Sequence, residues 1–221
     1  MRKRALLLLL LLVLAVAPAA AQNLPDLPDL GDLPPPSRYL AGYVSFGVGR
    51  SVPFSGHWGD GTVGFKSSGT MQLSAAKRVD ETLSYGLETF YAGDYVNRSM
   101  PGLSISVISL TPFVKVSVPG GNLDYYGVLG AGVYQWKQPA FTSGGVSFAS
   151  DAGSSLGLNL GGGVSFPFMF GTRGGLELRW HHIFDLKGDN MALGSAESFN
   201  LSFTLTYAVW KDRKKDVSTP P

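Results

Sequence analysis

Between residues 38 and 210, apolar and polar side chains alternate with a period of two, in segments separated by Gly, Pro, Asp and Asn clusters. Successive side chains of a β-strand point to opposite faces, so this pattern specifies strands that each carry one apolar face. Eight strands are expected, at 38–50, 69–79, 83–93, 103–117, 123–137, 155–166, 173–184 and 198–210. The connections are 18, 3, 9, 5, 17, 6 and 13 residues long, so long and short ones alternate without a break. A barrel that crosses a membrane has short turns on one side and long loops on the other, and an even strand number puts both termini on the turn side. The expected fold class is all-β: an eight-stranded antiparallel up-and-down transmembrane β-barrel with short periplasmic turns and longer outer loops.

The faces mostly agree, the first strand least cleanly because Tyr39 and Tyr43 lie opposite its apolar set. The sixth opposes Leu156, Leu158, Leu160, Val164 and Phe166 to Gly157, Asn159, Gly161 and Ser165. The eighth opposes Phe199, Leu201, Phe203, Leu205 and Tyr207 to Asn200, Ser202, Thr204 and Thr206. Alternation alone fits a soluble barrel with its apolar face inside equally well. Charged residues at 15% of the chain, against about 25% in an average soluble domain, favour the membrane. So does aromatic placement: Phe46, Tyr91, Trp180 and Phe199 are expected near the loop ends, and Tyr85, Tyr125, Phe166 and Tyr207 near the turn ends. The fourth strand changes parity, from Leu103, Ile105 and Val107 to Leu110, Val114 and Val116. A β-bulge near Val107–Ser109 would restore the facing and put Ser104, Ser106, Ser109, Thr111, Phe113, Lys115 and Ser117 inside. Residues 152–172 carry no charge, but their glycines and period-two pattern belong to strands rather than to a membrane helix.

The N-terminus reads as a secretory signal over 1–21. Arg2, Lys3 and Arg4 precede an apolar run from Ala5 to Val16, and Ala19 and Ala21 offer the cleavage site. Removing those three of the 18 basic residues leaves 15 against 16 acidic ones, a near-neutral balance that points to no nucleic-acid partner. Residues 22–37, QNLPDLPDLGDLPPPS, repeat Leu and Asp every third position. A polyproline helix would gather the leucines on one edge as a docking strut; the simpler reading is an extended periplasmic linker. Residues 211–221 read as a polar C-terminal tail. Cys is absent, which excludes disulfides, thiol nucleophiles, cysteine-ligated metals and a lipoprotein anchor.

Glu88, Lys115, Asp124, Glu177, Arg179 and His181 all fall on expected inner faces. They read as a structural network of paired lumen charges, the alternative being an ion path or a catalytic cluster. Bulky Tyr43, Phe113, Tyr126 and Tyr134 share those faces, with Gly130 and Gly132 leaving gaps for the rings to fill. His181 and His182 are adjacent on one strand and point to opposite faces. His57, Trp58 and Asp60 supply too few ligands for a metal, and no GxSxG, P-loop or HExxH motif appears, so no metal, cofactor or catalytic residue is expected. Asn97-Arg98-Ser99 matches a glycosylation triplet.

The segments LTPFVKVSVPGGNLDYYGVLGAGVY (110–134) and GGLELRWHHIFDL (174–186) resemble small bacterial outer-membrane β-barrels of the opacity-protein and OmpA/OmpW-like type. The resemblance covers roughly 38–210 and implies an integral outer-membrane location, with membrane lipid and the barrel-assembly machinery as partners. The chain departs from such barrels in continuing past the last strand. Comparison with outer-membrane lipid A deacylases, in which a Ser follows the catalytic His by two residues, finds Ile183 and Phe184 in those places. The expected role is a structural or surface-interaction barrel with a lumen plugged by side chains, with a possible surface or periplasmic protein partner. The alternatives are a narrow channel for small or apolar solutes and, more remotely, a lipid-modifying enzyme.

Overall fold

The structure is a computed structural model that describes residues 40–80, 82–100, 102–120, 122–189 and 192–211. The signal segment (1–21), the linker (22–37) and the tail beyond Lys211 lie outside the described residues. In chain order the elements are β1 (Leu40–Pro53), α1 (Gly56–Gly59), β2 (Ser68–Arg78), β3 (Leu83–Val96), β4 (Ser104–Val118) and β5 (Asp124–Gln138). They continue with β6 (Phe141–Ser143), β7 (Val146–Phe148), β8 (Asp151–Pro167), β9 (Arg173–Lys187) and β10 (Ala192–Lys211). The eight expected strands are present as β1–β5 and β8–β10. Each pairs antiparallel with its neighbours, and β10 returns to pair with β1 from Lys211 opposite Leu40 to Ser198 opposite Pro53. The remaining pair, β6 and β7, forms a hairpin in the third outer loop that alternation did not announce.

Burial is inverted relative to a water-soluble protein. On β10, Asn200 is 0% exposed while its neighbour Leu201 is 59% exposed. On β2, Thr70, Gln72 and Ser74 are buried between exposed Met71 and Leu73. Apolar groups facing out all round a closed barrel are stable only against hydrocarbon, and the closed ladder satisfies the backbone there. Tyr85, Tyr125 and Tyr207 face outward near the turn ends as expected. Phe46 faces outward but stands halfway along β1, opposite Leu73 and Leu205, so it does not belong to the outer girdle.

The strands run past the expected boundaries at the outer end, to Pro53, Val96 and Lys187 and back to Asp151 and Ala192. Ladder hydrogen bonds do not need lipid, so pairing continues where the lipid-facing signal has stopped. The outer connections contract to 54–67, 97–103, 139–150 and 188–191.

The β4 expectation is corrected. Odd residues from Ile105 to Phe113 are all buried, and the extra residue lies instead on β3, where register shifts between Ala92 and Tyr95. Ile105 and Val107 therefore face inward, and Ser104 and Ser106 do not take the inner positions expected of them. Ile105 and Val107 belong to an apolar cluster in the outer part of the interior, so parity at that end of β4 cannot be read from polarity. Trp58 of α1 and Phe65 insert into the cluster against Tyr95, Ile105, Trp136 and Leu186.

Candidate functional site

Around the closed order, β3 and β9 stand diametrically opposite. Inward parity puts Glu177, Arg179 and His181 on one wall, and Glu88 and Phe90 on the other. Arg179 reaches across to Glu88 and also pairs with Glu177, Nη2 to Oε1, at 2.7 Å. From β2, Gln72 donates its amide N–H to Glu177 at 3.1 Å. All four side chains are buried, so two carboxylates share one guanidinium whose planar fork can serve both at once.

The other expected residues take different places. Lys115 lies on the turn side of this layer with its ammonium 3.5 Å from the centre of the Tyr126 ring and 5.7 Å from that of Tyr43. Among the described residues it makes no ion pair, so its charge is met by ring faces. Asp124 does not join the network. It pairs with Arg173 at 2.7 Å at the turn end, where Arg173 also donates to Ser165. His181 lies on the loop side, stacked on Phe90 at 4.3 Å with Nδ1 3.0 Å from the Tyr134 hydroxyl. A cavity of about 20 Å³ lies beside the network, lined among others by Tyr43, Gln72, Lys115, Tyr126 and Arg179. That is room for about one water.

Tyr43, Phe113, Tyr126 and Tyr134 all face inward and are buried. The Tyr134 and Tyr126 rings settle over Gly157 and Gly163 of β8. A Cβ on Gly157 would come within 2.7 Å of the Tyr134 ring, and one on Gly163 within 2.7 Å of the Tyr126 hydroxyl. Gly130 gives its space to the Asn159 amide.

In the first loop His57 is exposed, and Asp60 is taken up by a turn. Its carboxylate accepts from the Thr62 hydroxyl and from the amides of Thr62 and Val63. Those bonds, the hydroxyl first, hold its pKa down to about 2. Asn97 of the glycosylation triplet is buried. Its amide donates to the Val63 carbonyl, and its oxygen accepts from Ser99 and Met100. The triplet is a strut between the first two outer loops.

Sequence reasoning missed Gln72, the seat of Lys115, and the Arg173 partner of Asp124. Inward parity singles out Gln72 once the faces are assigned, whereas contacts between distant strands depend on how the barrel closes. It also passed over Glu197, which is hydrogen-bonded to His182 on the outward face.

The sequence matches no family model and no curated protein. Among solved structures, Neisserial surface protein A matches with a TM-score of 0.55 at 18% identity, over 76% of this chain and 97% of that one. Ail, the attachment invasion locus protein of Yersinia pestis, matches with a TM-score of 0.45 at 16% identity, over 75% and 99%. The outer membrane enzyme PagL matches with a TM-score of 0.42 at 17% identity, over 73% and 97%. The first of these likenesses establishes the fold: this is an eight-stranded barrel of the small bacterial outer-membrane type.

Proposed function

We propose that the mature chain is an integral protein of the bacterial outer membrane whose lumen is plugged by its own side chains. It acts through its outer loops as a structural or surface-interaction element. Export through the signal segment, insertion by the barrel-assembly machinery and a periplasmic linker ahead of β1 belong to the same reading. The observation that carries it is the bridge from Arg179 to Glu88 across the full width of the barrel, braced by Glu177 and Gln72. A solute passing through would have to part a buried ion pair, and each charge left uncompensated costs several kcal/mol. On the loop side the path meets Trp58, packed at 4.6 Å on Phe65 and at 4.9 Å on Tyr95. An eight-stranded barrel is only wide enough for side chains to fill, which agrees with both layers.

The test is electrical. Purified, folded protein in planar bilayers should give no long-lived, ion-selective conductance. Such conductance would overturn the plugged reading and favour a narrow channel. If it also vanished in Glu177→Ala, that carboxylate would line the pore.

A further inference from the structure

On the outward face, His182 of β9 and Glu197 of β10 are direct cross-strand partners, with His182 Nδ1 3.0 Å from Glu197 Oε1. On β9 His182 interrupts an apolar row, Leu176, Leu178, Trp180 and Phe184, and on β10 Glu197 lies between apolar Phe199 and Leu201 on one side and Ser195 on the other. On the far side of His182, β8 contributes Leu158. Glu197 lies ten residues from Tyr207 on the same face of β10. At about 3.3 Å per residue and a tilt near 40°, that is about 25 Å, the height of the apolar band. With Tyr207 at the turn-side edge, the pair sits at the outer edge, at headgroup level.

The polar atoms left over define a ligand. With Nδ1–H donated to Glu197, the second Glu197 oxygen is an acceptor, and His182 Nε2 is one as well in the neutral imidazole. Neither is buried, and neither has a partner among the described residues. Rings stand around them. Trp180 and Phe184 lie 5.5 and 4.9 Å from the imidazole, and Phe199, opposite Trp180, stacks on Phe54 at 4.5 Å. A ligand that fits offers hydroxyl donors to the acceptors and an apolar face to the rings. The sugar ring of a glycolipid has both. A phosphate has neither, and Glu197 repels it.

We propose that His182 and Glu197, with Trp180, Phe184 and Phe199, form an outward-facing site for the sugar headgroup of a glycolipid in the outer leaflet. The proposal rests on the membrane-spanning reading and is independent of the state of the lumen.

The experiment uses the full chain in nanodiscs of phosphatidylcholine doped equally with glucosyl diacylglycerol and phosphatidylglycerol. Lipid retained on the barrel after ejection is counted by native mass spectrometry. The comparison is a His182→Leu, Glu197→Leu double variant, whose new side chains suit a lipid-facing row. Its heat-modifiable migration on gels should match that of the wild type. The wild type should retain the glucosyl lipid about tenfold over phosphatidylglycerol, and the double variant should lose that preference. No preference in the wild type, or the same preference in the double variant, would overturn the site. Equal retention of phosphatidylethanolamine in a parallel disc would overturn the sugar as its ligand. Failure of the wild type to insert at all would instead sink the membrane reading beneath it.

Discussion

Arg179 on β9 and Glu88 on β3 form an ion pair across the full width of the barrel, because their strands are diametrically opposite in the closed order. With Glu177 on the same guanidinium, Arg179→Ala leaves two buried carboxylates without their cation. The loss should be about 3–5 kcal/mol, and replacing all three charges by methionine should restore most of it. Urea unfolding of lipid-reconstituted protein, followed by gel migration, checks both. An Arg179→Ala barrel as stable as the wild type would mean that the network contributes nothing.

The lipid face predicts a depth dependence along one strand. Leu201 and Val209 share the outward face of β10, the first well inside the band and the second beyond Tyr207 at the turn end. Leu201→Arg should cost about 2–4 kcal/mol and Val209→Arg about 0–1 kcal/mol. Equal penalties would contradict the placement of the band.

What the sequence shows clearly is whatever lipid imposes. Hydrocarbon demands an apolar side chain at every second position, so the strands and the inward parity of Glu88, Glu177 and Arg179 are legible one strand at a time. The interior obeys no such rule. Ile105 and Val107 point inward because Trp58 and Phe65 supply an apolar environment from a loop, and no local pattern on β4 reports a loop residue. The Asp124–Arg173 pair is hidden for a related reason. Its partners meet across the turn-end rim, so a list of inner-face charges groups Asp124 with the wrong cation.

Loop 54–67 has its own acid response. The depressed pKa of Asp60, about 2 against 3.8 ordinarily, means that folding favours its ionised form. The stability it lends is complete above the ordinary value and is lost as pH falls through about 2. Asp60→Asn should remove that pH dependence. Carboxyl NMR titration together with protease nicking of the loop between about pH 4 and pH 2 measures it. A midpoint near 3.8 would show that the turn is not held.

Trp58 is buried although it belongs to a surface loop, and its ring packs on Phe65 and Tyr95. Trp58→Ala should cost about 3–5 kcal/mol in the outer layer. Nicking of residues 54–67 should rise while migration of the barrel stays unchanged. Unchanged loop protection would show that Trp58 does not anchor it.

Gly47 and Gln72 are cross-strand partners on β1 and β2, and the three atoms nearest a Cβ built on Gly47 all belong to Gln72, the closest being Cγ at 2.6 Å. Gly47 has an ordinary backbone conformation, so alanine there is opposed by packing and not by strain. Gly47→Ala must push Gln72 aside, which pulls its amide from Glu177 and loosens the brace on Arg179. The single substitution should destabilise by about 1–3 kcal/mol, as overpacking does. In a Gln72→Ala background the obstruction is gone and the second alanine also reduces the freedom of the unfolded chain, so Gly47→Ala should become neutral or slightly stabilising. The double-mutant cycle should therefore show a coupling of about 0.5–3 kcal/mol. Additive effects would mean that Gly47 is small for a reason unconnected with the Gln72 bridge.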